Sequence, residues 1–166
     1  AVLANPNAMI GTLIAVISLM LTWRKFREDS LRRGEVLDWA NESIAALEGL
    51  VMVCILQPYP AFADECRVRL AKIAFDSSIL VERGRIFFKN QRRGDFGAHK
   101  QVAYRGYRPV ILDPLIAAHQ IAVRLPTADA RMRYTLQCIA EDHLKDFVSL
   151  IQKEVGRDRT ASVVTK

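Results

Sequence analysis

The first 23 residues carry no charged side chain, and seven of the next ten do. That edge constrains the chain more than any other feature. The run AMIGTLIAVISLML is apolar on every face of a helix, which a helix lying on the surface of a soluble protein is not. Residues 6–23 would make roughly 27 Å of helix at about 1.5 Å per residue, close to a hydrocarbon core of about 30 Å. Asn5 and Pro6 suit a helix start, since Asn caps free N–H groups and proline has none to lose at the first position. Thr12, Ser18 and Thr22 can each bond back to a carbonyl of their own helix, and Trp23 falls where an interfacial aromatic belongs. The following segment, RKFREDSLRR, holds Arg24, Lys25, Arg27, Arg32 and Arg33 against Glu28 and Asp29. Apolar and then basic is the pattern of a single membrane anchor whose C-terminal side faces the cytoplasm.

Two other readings of this segment compete. A cleaved signal peptide carries its positive charge ahead of the apolar run, whereas here the charge follows. A buried core helix of a soluble protein would also be apolar all round, and this segment is short for a span. The sequence begins at Ala rather than Met, so upstream residues are expected.

Beyond the anchor, no alternating β pattern persists and the fold class is all-α. Residues 24–156 are expected to form a cytosolic bundle of about four helices, the first continuous with the transmembrane helix, and residues 157–166 a loose tail. Residues 23–57 read as one helix. Glu28–Arg32 and Asp29–Arg33 are favourable pairs four apart at its start. Leu37, Ala40, Ile44, Leu47, Val51 and Cys54 follow at three-four steps, a seam for bundle core or self-association. Pro58 and Pro60 end it. A second helix is expected over 62–88, with Cys66, Leu70, Ile73, Ser77, Leu80, Gly84 and Phe87 on one stripe. Asp113 and Pro114 should cap and start a third, 114–125. Pro126 and Thr127 should break it and cap a fourth, 128–155, with Met132, Leu136, Ile139, His143, Phe147 and Leu150 on one side and Gly156 as its C-cap. Cys54, Cys66 and Cys138 have neither zinc spacing nor a CxxC pair, and read as reduced thiols.

The excess charge is concentrated in one place. Residues 83–113 hold eight basic and two acidic side chains, a surplus equal to the net +6 of the whole chain. Two elements echo each other there: Arg83-Gly84-Arg85 before Phe87-Phe88, and Tyr104-Arg105-Gly106-Tyr107-Arg108. With Arg92 and Arg93, these side chains are a candidate anion-binding or docking site. Arginine grips phosphate or carboxylate at two points, glycine lets a backbone come close, and aromatic rings stack on bases or guanidinium groups. A long irregular connection in a compact domain is often functional. Three readings compete: arginines paired with acids of neighbouring helices, a site for a nucleotide or lipid headgroup, and a protein docking surface. No Walker loop, RNA-recognition motif or helix-turn-helix spacing points to a specific nucleic acid.

The catalytic search finds little. Metal sites inside bundles use Glu three residues before His, and no histidine here has one. His119 reads as a core histidine and His143 as a helix-face residue beside Asp142 and Asp146. Ser77-Ser78 has no nucleophile-elbow context. No cofactor and no metal are expected. The expectation is therefore a non-enzymatic assembly, adaptor or regulatory subunit of a bacterial inner-membrane complex, single-pass with its N-terminus outside, partnered by the bilayer and by a membrane protein or copies of itself. The alternative is an oligomeric membrane effector whose basic loop senses an anionic ligand.

Overall fold

Trp39 is fully buried, and the rings of Phe87, Phe88 and Phe147 close around it. The computed structural model describes the backbone of residues 6–156 and the side chains of 14–156. The described residues are 82% helical and include no strands. The expected Asn5 cap, the Thr12 side chain and the tail 157–166 lie outside the described residues.

Four helices follow in order: α1 Pro6–Leu56, α2 Ala63–Phe87, α3 Asp113–Arg124 and α4 Ala130–Glu154. The chain divides into two units, Ala1–Val36 and Leu37–Lys166. In the first, residues 14–23 expose apolar side chains on every face: Ile14, Ile17, Leu19, Met20 and Trp23 are each about half exposed or more. Thr22 donates to the Ser18 carbonyl at 2.8 Å. The Arg27 guanidinium lies 5.8 Å from the Trp23 ring centre, and Arg24 pairs with Glu28 at 3.1 Å. Within Ile14–Leu56, α1 is long enough to cross a membrane and holds an 18-residue stretch of mean hydropathy 1.4, half of which is buried. Residues 39–56 are core of the second unit, which accounts for their hydropathy. Residues 14–23 have no such account.

In the second unit the α1 face that turns inward is Trp39, Ala40, Ser43, Leu47, Leu50, Val53 and Cys54. This corrects the expected seam by a partial turn. Ala40, Leu47, Val51 and Cys54 are buried, but Leu37 and Ile44 sit at the edge, half exposed. The three-four rule admits two neighbouring stripes on an apolar helix, and the bulky indole of Trp39 selects between them. On α2 the buried set is Cys66, Leu70, Ile73, Ser77, Leu80, Val81 and Gly84. On α4 it is Leu136, Ala140, Phe147 and Ile151, whereas Met132 and Ile139, expected inside, are exposed. Ser43 and Ser77 are the two fully buried polar residues, and each hydroxyl donates to a carbonyl of its own helix. That removes the cost of an unpaired hydroxyl.

The termini correct two expected caps. Asp113 adopts helical backbone angles and caps nothing, while α4 is capped by Asp129, whose carboxylate accepts from the Met132 N–H at 2.7 Å, and not by Thr127. Leu125–Thr127 instead forms a short 3-10 turn. Gly156 takes φ +65° just past α4, as a C-terminal glycine does. His119 joins α3 to α2: its Nδ1 lies 2.9 Å from the Ala74 carbonyl and 3.0 Å from the Ser78 hydroxyl.

The Trp39 indole N–H donates to the Leu80 carbonyl at 2.8 Å, and the ring meets Phe87, Phe88 and Phe147 at tilted or edge-on angles. A Cβ on Gly84 would stand 2.8 Å from the indole and 2.4 Å from a Leu112 methyl. Gly84→Ala is therefore expected to lower stability by about 1–3 kcal/mol through overpacking. Denaturant unfolding of the detergent-solubilised chain, followed by tryptophan fluorescence, measures it. An unchanged midpoint would mean that α2 and Trp39 do not meet this closely.

Candidate functional site

The basic segment begins on α2 itself. Arg83 and Arg85 occupy the last turns of that helix, and the irregular connection runs over residues 88–112. Arg83 forms an ion pair with Glu42 of α1. Glu82 and Arg85, three apart, share a helix face. Arg85 Nε donates to Glu82 Oε1 at 3.3 Å, its guanidinium lies 4.8 Å from the ring centre of Tyr104, and the Tyr104 hydroxyl donates to Glu82 Oε2 at 2.7 Å. These three residues tie the 3-10 turn Val102–Tyr104 to the end of α2. The hydrogen bond to the Glu82 carboxylate, and then its negative charge, hold the Tyr104 phenol above its ordinary pKa.

The loop is pinched into a closed neck. Gln91 and Tyr107 exchange two backbone hydrogen bonds, 2.9 and 2.8 Å. Gly106 makes that approach possible: its φ is +87°, and a Cβ there would stand 2.4 Å from the Gln91 carbonyl oxygen. Its N–H donates to the Phe96 carbonyl, and the Phe96 ring stacks on Tyr107 with centres 4.4 Å apart and planes at 9°. The two glycines that echo each other in sequence therefore both serve the fold. Gly84 admits the Trp39 ring, and Gly106 closes the neck.

Half of the candidate cations are similarly engaged within the chain. Two nitrogens of Arg108 donate to one oxygen of Asp113 at 2.8 and 2.6 Å, which explains why that carboxylate does not cap α3. Arg105 donates to the Lys100 carbonyl at 2.8 Å. Arg93 reaches only the Gln91 side chain, at 3.3 Å. Among the described residues, Lys89, Arg92, Arg93, Lys100 and Arg105 have no acidic partner, so the net positive field of the segment comes mainly from them.

Between the neck, the end of α2 and the start of α3 lies an open hollow of about 740 Å³. Of the residues singled out in sequence, Arg85, Tyr104, Tyr107 and Arg108 line it, and Arg83, Arg92, Arg93 and Arg105 do not. It adds Asn90, Phe96, His99 and Lys100, which carried no separate signal in the sequence beyond lying in the segment. Asn90 Oδ1 is buried and accepts no hydrogen bond. A second depression, about 540 Å³, lies between α1 and α2 over Ala45, Gly49, Ile73 and Ile79, with Glu42 and Lys72 among its polar lining. Nearby on α2, Val68, Phe75, Ile79 and Ile86 form an exposed apolar stripe.

Elsewhere, His143 is half-buried on α4, and Asp142 pairs loosely with Lys145 at 3.5 Å. The three cysteines are free thiols, and burial raises the pKa of Cys66. No family model, no curated protein and no solved structure matches this chain.

Two outcomes follow from this geometry. Gly106→Ala should break the Gln91–Tyr107 bridge at a cost on the order of 1–3 kcal/mol. The expected readout is faster tryptic cleavage at Arg92 and Arg93 with the helices intact by circular dichroism; cleavage at the native rate would remove the neck. Glu82→Gln should lower the Tyr104 pKa, visible as one tyrosine titrating earlier by ultraviolet absorbance. Because the folded value is raised, the contact stabilises the fold below the ordinary tyrosine range and its contribution is lost as pH rises through the raised pKa.

Proposed function

We infer that this chain is a membrane-anchored, non-enzymatic docking subunit: the apolar start of α1 spans the inner membrane of a bacterial cell once, N-terminus outside, and the cytoplasmic bundle assembles with a membrane-protein partner or with copies of itself. The observation that carries this reading is the exposed apolar surface of residues 14–23, followed at once by basic residues. Water disfavours a helix apolar on all sides, and bilayer lipid favours it. Basic residues just beyond the apolar stretch favour the cytoplasmic side.

The docking role draws support from the depression over Ala45 and Gly49. Small residues four apart on one helix face let another helix approach closely, and the exposed Phe75 and Ile79 on α2 add apolar area beside it. A second reading, an oligomeric effector that senses an anionic ligand, draws support from the basic hollow.

Extraction from membranes in mild detergent, followed by particle mass and identification of co-purifying chains, tests the first reading. The expected result is a complex of fixed stoichiometry. Phe75→Glu with Ile79→Lys should release the partner while the thermal transition stays near the native value, since both side chains are exposed. Leu19→Arg should move the protein out of the membrane fraction, because an arginine at mid-helix costs about 2.5–3.5 kcal/mol on insertion. A monodisperse monomer that sediments with soluble protein would overturn the reading.

A further inference from the structure

The geometry points to a nucleoside phosphate as the ligand of the hollow beside the loop neck, a site that rests on the basic hollow and is independent of the anchor and of the docking face. Three parts of its wall select three parts of such a molecule. Lys100 has no acidic partner, and its Nζ stands 5.7 Å from the Phe96 ring centre. It lies over the Phe96 ring with no carboxylate to neutralise it, and a phosphate would bind it as a point charge. Arg85 and Arg108 stand on the same wall, each paired with a carboxylate, so Lys100 supplies the uncompensated positive charge there.

The second part is the platform. Phe96 and Tyr107 are stacked on each other, and with Lys100 over Phe96 the half-exposed Tyr107 ring is the π surface left for a base. A base stacks on such a surface whatever its identity. The third part is Asn90. Its buried Oδ1 needs a donor. An exocyclic amino group, a ring N–H or a ribose hydroxyl supplies the donor. Inorganic phosphate would satisfy Lys100 and leave the aromatic surface unused. A lipid headgroup would engage the cations but not the platform. At about 740 Å³ the hollow is of the size that holds a compact organic ligand.

The test uses the full chain in detergent micelles. Titration calorimetry is run with AMP, GMP, CMP and UMP, then with inorganic phosphate and the parent nucleosides. At least one nucleoside monophosphate should bind saturably, one per chain, and phosphate and the matching nucleoside should each bind at least about tenfold more weakly. Lys100→Gln, exposed and outside every ion pair, should weaken the nucleotide about tenfold or more with the thermal transition unchanged, and Tyr107→Ala should do the same through lost stacking. Arg92→Gln, outside the hollow, should change affinity little. Absence of binding by all four nucleotides overturns the proposal. So does inorganic phosphate binding as tightly as they do, which would leave a simple anion site. Lys100-dependent binding to phosphatidylserine vesicles, without nucleotide binding to the micellar protein, would assign the hollow to a headgroup and likewise overturn it.

Discussion

The burial of Trp39 organises the bundle. Its indole N–H has one acceptor, the Leu80 carbonyl, and its ring needs a floor without a side chain, which Gly84 provides. Those two demands fix the axial and rotational register of α1 on α2. Phe147 from α4 and Phe87 and Phe88 at the end of α2 then close the remaining sides. A large ring surrounded by edge-on rings excludes water more completely than aliphatic packing of the same area, and it tolerates fewer alternative registers. The end of α2 is held by this cluster, and the loop that leaves it starts from a fixed point.

Much of the fold was legible in the sequence, for reasons that differ element by element. On α2 the expected positions from Cys66 to Gly84 all turned inward, while a second apolar set, Val68, Phe75, Ile79 and Ile86, stayed exposed. On α1 apolar residues occupy adjacent stripes, and periodicity alone could not choose; Leu37 and Ile44 gave way to Trp39 and Leu50. On α4 the expected stripe included Met132 and Ile139, whose hydrophobicity was mistaken for burial, while the small Ala140 does the packing. The caps at Asp113 and Thr127 failed because a cap is a local preference that a better partner overrides. Asp113 meets Arg108, and Asp129 stands two residues closer to the true start of α4.

The candidate site was legible as a region and not as a set of residues. Charge density located it. Composition could not show that Arg83, Arg85 and Arg108 would be matched by Glu42, Glu82 and Asp113, two of them acids outside the segment and the third at its limit. Nor could it show that Lys100, unremarkable among eight basic residues, would stand free beside a stacked aromatic pair.

The Gln91–Tyr107 neck separates the loop tip from the helices in a further sense. Once two backbone hydrogen bonds and a glycine close the base, residues 92–105 form a ring whose closure entropy depends only weakly on its length. Apart from Tyr104, which is tied to Glu82 and Arg85 of α2, insertions or replacements in the tip would cost the bundle little, because no buried hydrophobic residue lies within 92–105. Such an arrangement lets the tip diversify quickly between related chains while the helices stay constant. Variation confined to residues 92–105 among close relatives would be the evolutionary trace of that decoupling.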